Sequence, residues 1–357
     1  MKIAILGDCH LGVRNGSKIF SEYFDNFYSN IFFPYLKENN IDTVVQLGDL
    51  FDHRKYTNLQ GLSEAKQYFF DRAKDQCVKL MVLVGNHDIY HKNTLMINSP
   101  SLLLGEYDNI EILQNPCTKE IGGINVDIIP WICQENESEC LELMKTSKAD
   151  VCFGHFEIIG FGMIRGILAH DGLETNMFSK YEYVFSGHYH HRSNRGNIYY
   201  TGTPYELTWN DYNDPKGFYV FDTETRSTQF INNPYRLFNK IYYDDAFGAD
   251  IIREEIQNEK NNHLKNTYVK VVVKNKEDGF LFDSYLESLY KTNPVDLAII
   301  EENIDVLSEE MEEIDETEDT LTILNKFIDN IKQKDLDTNK IKNILSDLYT
   351  EAMSIET

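Results

Sequence analysis

The chain has 357 residues, of which 42% are hydrophobic and 13% aromatic, and its formal net charge at pH 7 is −24. This composition excludes an intrinsically disordered chain and gives room for two or three domains. The acidic balance argues against broad nucleic-acid binding, because such binding depends on Lys and Arg contacts to phosphate. That argument is weakened by the uneven distribution of charge, since eleven Asp or Glu lie between Glu301 and Asp319 without any Lys or Arg.

Met1 and Lys2 lead directly into an apolar segment, so no secretory signal is expected. No apolar run approaches the roughly 20 residues of a membrane span, and we expect no membrane partner. The six cysteines form no C-x-x-C pair. This favours reduced thiols in a cytoplasmic protein over disulfides or a zinc site.

The first part of the chain alternates apolar strands with helices, as in an α/β protein with a parallel sheet. Strands are predicted at Lys2–Gly7, Thr43–Leu47 and Lys79–Val84, and helices at Phe20–Asn39 and Leu59–Ala73. Short strands with little helix between several of them follow at Asn109–Leu113, Ile124–Trp131, Asp150–Phe153, Tyr181–Phe185, Asn197–Thr201 and Gly217–Asp222. We therefore expect a second sheet packed on the first with helices outside each, which is a four-layer α/β/β/α sandwich.

The pattern changes near residue 247. Helices at Asp250–Asn262 and Phe280–Tyr290 and strands at Thr267–Lys274 and Asp296–Ile300 predict a small α/β unit. The acidic block that follows predicts a flexible linker, and two amphipathic helices complete the chain. These helices pack either on their own domain or on a partner protein. The predicted division is 1–245, 246–300, 301–320 and 321–357.

Five predicted strands end in motifs of metal-binding residue types. In chain order these are Asp8-x-His10, Gly48-Asp49-x-x-Asp52, Gly85-Asn86-His87-Asp88, Gly154-His155 and Gly187-His188-x-His190. Each motif alone fits ordinary loop chemistry, but ligands of open α/β sheets bind at the carboxyl ends of the strands. Carboxylate, imidazole and amide groups suit manganese, iron or zinc, and two such ions promote hydrolysis of a phosphate ester. We predict a dinuclear site bridged by the Asp49 carboxylate.

In order and spacing, these motifs resemble the calcineurin-like metallophosphoesterase superfamily. Together with the C-terminal region they resemble its SbcD-type nuclease branch, including the recombination-nuclease subunits of T-even-like phages. The resemblance extends over nearly the whole chain, with Ile129-Pro130-Trp131 and Thr201-Gly202-Thr203-Pro204 included, and is weakest after Asn275. It implies a DNA nuclease of recombination and repair that depends on two divalent ions, with manganese the expected metal. Single-strand endonuclease and double-strand exonuclease activities are both implied.

The resemblance also implies partners. Residues 1–245 would form the nuclease domain, and residues 246–300 would form a capping domain that helps to select DNA. Residues 321–357 would bind the coiled coil of an SMC-like ABC ATPase, which would supply any ATP dependence because this chain has no Walker motif. A homodimer is expected through the helix near Leu59 and the run Ser101–Leu104, although core packing explains these apolar residues equally well.

Transferred motif by motif, the resemblance assigns individual roles. One ion would be held by Asp8, His10 and His190, the second by Asn86, His155 and His188, and Asp49 would bridge them. His87 would be the general acid for the leaving oxygen, and Asp52 would hydrogen-bond to it and orient it. The alternatives are a structural loop histidine at His87 and a helix N-cap at Asp52.

Basic residues lie close to these motifs in sequence and are candidate phosphate contacts. They are Arg14, Arg54, Lys55, Lys92 and Arg192. Scattered solvated charges would look similar, and His53 separates Arg54 from Asp52, whereas related phosphatases have an adjacent Arg. Two other functions remain open, namely a phosphatase or cyclic-nucleotide phosphodiesterase on the same scaffold and a non-catalytic interaction module.

Overall fold

The computed structural model describes residues 1–164, 167–257, 261–301 and 340. Almost all of the predicted linker at 301–320 and of the predicted tail at 321–357 therefore lies outside the described residues. Within the described part, no helix has both the length and the apolar character that a membrane crossing requires.

The first of the two large sheets has six strands. Their order is Ser227–Asn232, Gly217–Asp222, Lys2–Leu6, Thr43–Gln46, Lys79–Leu83 and Ile110–Leu113. The last four are parallel to one another. Gly217–Asp222 pairs antiparallel with Lys2–Leu6, with Asp222 opposite Lys2. Ser227–Asn232 in turn pairs antiparallel with Gly217–Asp222.

The central strands of this first sheet are buried on both faces, which explains their nearly continuous apolar sequences. Along Lys2–Leu6, Ala4 and Leu6 contribute to the core under the outer helices, whereas Ile3 and Ile5 contribute to a second core. Successive side chains of a strand point to opposite faces. Each central strand therefore supports two layers at once.

The second sheet also has six strands, in the order Ser193–Arg195, Ile198–Tyr200, Tyr183–Gly187, Val151–His155, Ile124–Ile129 and Cys117–Ile121. Its four middle strands are parallel. Val126, Phe153 and Phe185 of this sheet share one buried core with Ile5 and Val45 of the first sheet. The predicted packing of two sheets face to face is confirmed.

Helices cover the outer faces of both sheets. Beside the first sheet lie Lys18–Phe27, Tyr28–Phe32, Phe33–Glu38, Leu59–Ala65, Lys66–Phe70 and Asp71–Asp75, with π-helical turns at Tyr28–Phe32 and Lys66–Phe70. Beside the second lie Glu137–Thr146 and the short 3₁₀ turn Thr175–Phe178. The smaller elements are Val13–Gly16, Ser99–Leu103, Trp209–Asp211, Gly162–Ile164 and Ile167–Leu168. The four-layer α/β/β/α sandwich is confirmed.

A third sheet of three parallel strands follows, Phe238–Asp244, Tyr268–Asn275 and Asp296–Glu301. The helices Asp245–Gln257 and Gly279–Lys291 share a core with it. The strand Phe238–Asp244 belongs to this unit, so the unit includes residues before 246, where the sequence places a boundary. Phe238 packs its ring on Trp209 of the sandwich at a centroid distance of 4.9 Å.

Candidate metal centre

The candidate ligands lie on turns at the carboxyl ends of strands from both large sheets, and several of these turns are strained. The backbone φ is 43° at His10, 51° at Asp49 and 88° at His188. Such a conformation costs a residue other than glycine about 1–3 kcal/mol, and such residues cluster at functional sites. Gly85 shows how closely the turns approach, because a Cβ there would lie 2.2 Å from Asp49 Oδ1.

These turns bring six of the predicted ligands into two groups. Asp8, His10 and His190 form the first group, and Asp49, His155 and His188 form the second. In each group the candidate ligand atoms lie within 4.8 Å of one another. Each group thus contains residues that the resemblance assigns to the same ion, and Asp49, the predicted bridge, lies in the second group.

In the first group, the ring nitrogens His10 Nε2 and His190 Nε2 face each other at 3.1 Å. The other nitrogen of His10, Nδ1, lies 3.1 Å from the Asp52 carboxylate. A carboxylate on the far nitrogen fixes the ring and its tautomer, which leaves the near nitrogen available to a metal. The carboxylate of Asp8 accepts hydrogen bonds from the backbone N–H of His188 at 2.9 and 3.0 Å.

In the second group, Asn86 joins the two histidines. Its Oδ1 lies 2.8 Å from His155 Nε2 and 2.9 Å from His188 Nδ1. His155 Nε2 is also 3.3 Å from Asp49 Oδ2. The Nδ1 of His155 donates to the carbonyl of Leu47 at 2.8 Å, so Nε2 is the nitrogen that can bind a metal once it has lost its proton.

Asp49 connects the two groups. Its backbone carbonyl accepts from the N–H groups of Cys9 and His10, each at 3.0 Å. One carboxylate oxygen accepts from the N–H of His87 at 2.7 Å, and the other faces His155. This central position agrees with the predicted bridging role, which stays a prediction.

The carboxylates of the site shift the pKa values of its histidines. Burial opposes charge on His10, but the hydrogen bond and charge of Asp52, with those of nearby carboxylates, outweigh it and raise its pKa to about 9. At His155, burial is likewise outweighed, chiefly by Asp49, and the pKa rises to about 9. Burial, with the charge of His10, holds the pKa of His190 well below its ordinary value. The carboxylates thus favour positive charge at the neighbouring histidine rings. A divalent cation would supply such charge in place of the protons, so the donor set fits divalent cations.

His87 and Asp52 lie together, but by a contact other than the expected one. The ring nitrogen Nδ1 of His87 donates to the backbone carbonyl of Asp52 at 2.8 Å. The carboxylate of Asp52 bonds to His10 instead. The helix Leu59–Ala65 takes its N-cap from Asn58 rather than from Asp52.

The predicted DNA-contacting residues differ in their surroundings. Arg14, Lys55 and Lys92 are exposed, and Arg54 is half-buried. Arg192 donates to the hydroxyl of Tyr219 at 3.1 Å and lies over the ring of Phe230. Arg192 thus makes contacts within the protein, and the DNA contacts of all five residues stay predictions.

Sequence reasoning missed three supporting residues. Asp88 is fully buried and accepts from the N–H groups of Leu50, Phe51 and Gly85. Glu157 lies 3.2 Å from His188 Nε2. Lys216 donates to the carbonyl of His190, 26 positions away in sequence. Asp88 and Glu157 stand inside or beside the motifs, so their position was a usable signal, whereas Lys216 gave none.

Paired ligand groups at the edge of an α/β/β/α sandwich define a class, the metal-dependent phosphoesterases. Residues 1–217 match the calcineurin-like phosphoesterase family, and the chain belongs to that family. It is 35% identical over 355 residues to exonuclease subunit 1 of Enterobacteria phage T4, covering 99% of each chain. It is also 25% identical over 310 residues to the SbcD subunit of the SbcCD nuclease of Staphylococcus epidermidis, covering 75% of this chain and 79% of the relative. The predicted family and the predicted hydrolase class are confirmed, and both relatives are named as subunits.

Proposed function

We propose that this chain is the nuclease subunit of a DNA recombination and repair complex, and that it hydrolyses phosphodiester bonds with two manganese ions. The observation that carries the proposal is the convergence of two ligand groups around Asp49 at one edge of the sandwich. Similarity over the whole chain to a phage exonuclease subunit supports DNA as the substrate. Both single-strand endonuclease and double-strand exonuclease activities are included in the proposal.

The ligand groups suit the proposed ions. Asp8, His10 and His190 would hold one ion, and Asn86, His155 and His188 the other, with Asp49 shared between them. The carboxylate and amide oxygen donors suit manganese, and the imidazole donors suit first-row transition metals in general. When bound, two divalent ions supply positive charge that stabilises the phosphate and lower the pKa of water towards neutrality.

His87 would assist the leaving group from beside these ligands. Its Nδ1 is fixed by the Asp52 carbonyl, which leaves Nε2 for proton transfer. Burial lowers the pKa of the ring, although Asp49 opposes this effect. A lowered pKa means that the ring gives up its proton readily. Once the ring is protonated beside a phosphate anion, it is therefore suited to protonate the departing 3′ oxygen.

Binding of DNA would use the exposed basic residues near the site. Arg14, Lys55 and Lys92 are exposed and lie next to the ligand turns in sequence, and Arg54 is a further candidate. The unit around the third sheet would act as a capping domain. Residues 321–357 would bind an SMC-like ABC ATPase, in a complex that contains a homodimer of this chain in the cytoplasm of the host cell.

One assay tests the proposal. Wild-type protein is incubated with manganese and either linear duplex or hairpin DNA, with and without the ATPase, beside the variants Asp49→Ala and His87→Ser. Wild type should cleave DNA, Asp49→Ala should lose both metal and cleavage, and His87→Ser should bind metal but lose most turnover.

The same preparations separate the alternatives. Hydrolysis of p-nitrophenyl phosphate or a cyclic nucleotide without any cleavage of DNA would assign a phosphatase or a cyclic-nucleotide phosphodiesterase. A manganese titration that gives one bound ion or none would point to an interaction module without catalysis.

A further inference from the structure

Lys216 is a fully buried cation outside both ligand groups. Only 1% of the residue is exposed, and it lies just before the strand Gly217–Asp222. Its Nζ lies 2.5 Å from Asp211 Oδ1, 3.0 Å from Asp214 Oδ2 and 2.8 Å from the backbone carbonyl of His190. An ammonium group has three N–H donors, and each of them here has an acceptor.

Stability alone gives little reason for such a cation. Removing charges from water costs several kcal/mol per ion, and replacing a buried ion pair by apolar side chains is often neutral or stabilising. What an apolar side chain at position 216 could not do is hold the carbonyl of His190. The contact with that carbonyl therefore gives the buried charge a specific use.

The peptide group between His190 and His191 is fixed by hydrogen bonds to its carbonyl oxygen and by a contact of the next side chain. Its carbonyl accepts from Lys216 and from the N–H of Thr203 at 3.2 Å. Nδ1 of the next residue, His191, lies 2.9 Å from Asp214 Oδ1, and Asp214 is itself a partner of Lys216. One buried network thus fixes the backbone from which the His190 ring extends towards His10.

We propose that Lys216 is a positioning residue for the first metal ligand group, Asp8, His10 and His190. Its ammonium group holds the backbone of His190 so that the ring nitrogen stays in place to bind an ion. The inference rests on the proposed dinuclear centre and adds a supporting residue to one of its two sites. Among the described residues, no hydrogen bond or ion pair joins the second group to this network, and the second group keeps its ion when Lys216 is replaced.

The test is a manganese titration of the full-length Lys216→Met variant. Calorimetry and electron paramagnetic resonance both monitor the titration. Outer partners of metal ligands typically contribute 10- to 100-fold to metal affinity. The variant should bind one of its two ions at least 10-fold more weakly. The spin-coupled signal of a manganese pair in the wild type should give way to the signal of an isolated ion at matched concentration.

Lys180→Met is a control at an exposed lysine. Lys180 also donates to a backbone carbonyl, that of Ser147 at 2.9 Å, and lies 3.8 Å from the buried Asp127. None of these residues belongs to a ligand group, so this variant should bind two ions as the wild type does.

Two ions bound by Lys216→Met with wild-type affinities would overturn the inference. If circular dichroism shows that this variant is unfolded, the triple variant K216M/D211N/D214N takes its place, because it leaves no unpaired charge buried. It should show the same loss of one ion, and normal binding by it would overturn the inference equally. A wild type that binds fewer than two ions would instead refute the proposed centre, and the role of Lys216 with it.

Discussion

Replacement of Asp88 by Ala is expected to destabilise the fold and the metal centre together. The carboxylate of Asp88 accepts from the N–H groups of Leu50 and Phe51, which follow Asp49, at 3.1 Å each. It also accepts from the N–H of Gly85 at 2.9 Å. One buried side chain therefore joins two of the turns that carry ligands.

The size of the effect follows from these bonds. Each buried N–H left without an acceptor costs about 1–3 kcal/mol. With three such donors, Asp88→Ala should lower the free energy of unfolding by at least about 3 kcal/mol, which is a large part of the roughly 5–15 kcal/mol of a typical domain. Asp88→Asn should lose only about 1–3 kcal/mol, because its remaining oxygen can still accept two of the bonds.

Urea unfolding followed by circular dichroism in the presence of a chelator measures both variants without a contribution from metal. Burial, assisted by the charge of Asp49, raises the pKa of Asp88 to about 7. The measurement is therefore made above that pH, where the carboxylate is ionised. A loss below about 1 kcal/mol for Asp88→Ala would refute the reasoning, since not even one donor would then be left unsatisfied.

Three other perturbations address the metal centre directly. Asp52→Ala should weaken manganese binding about 10- to 100-fold in calorimetry, because His10 loses the partner of its Nδ1. His87→Ser should lower the rate of DNA cleavage about 10²- to 10⁴-fold, as expected for loss of a general acid, while metal content measured by atomic absorption stays at the wild-type level. In the metal-free protein, the pKa values of His10 and His155 are raised from an ordinary 6.5 to about 9. The protonated rings therefore stabilise the fold fully below pH 6.5, and this stabilisation is lost as the pH rises through 9. Manganese must displace these protons, so its affinity should increase between pH 6.5 and 9; an affinity that is constant over this range, in titrations corrected for buffer protonation, would contradict the assignment.

The sequence predicted the central strands well because each is buried on both faces and reads as an apolar run. It missed Cys117–Ile121, whose alternation of half-buried and exposed residues marks an edge strand. The Gly122–Gly123 pair that leads into Ile124–Ile129 was the available hairpin signal. It also missed Glu137–Thr146, a helix of ten residues that buries Cys140 and Met144.

The third sheet shows a different limit. Phe238–Asp244 mixes polar and aromatic residues, and its partner Tyr268–Asn275 lies about 30 residues later in the chain. No local pattern specifies such a pairing. The strands of this sheet lie on both sides of the boundary predicted between residues 245 and 246, and the division into domains stays a prediction.

For the metal centre, the motifs identified the ligand candidates because each ligand stands at a strand end, where chemistry and topology agree. The contacts that orient these ligands were not predictable in the same way. Asp52 was expected to bond to His87 through its carboxylate, but the choice between its carboxylate and its carbonyl depends on the path of the turn. Lys216 reaches His190 only because two loops of the folded chain meet.

Each ligand group takes members from both large sheets, with Asp8 and His10 facing His190, and Asp49 facing His155. An ion held by either group would thus fasten the two halves of the sandwich along one edge. Because such an ion binds only the folded chain, it would add about 2.7 kcal/mol of stability when its free concentration is 100 times its Kd. Resistance to heat and proteolysis would then follow the supply of metal in the cell, and scarcity of the metal would shorten the lifetime of the protein as well as its activity.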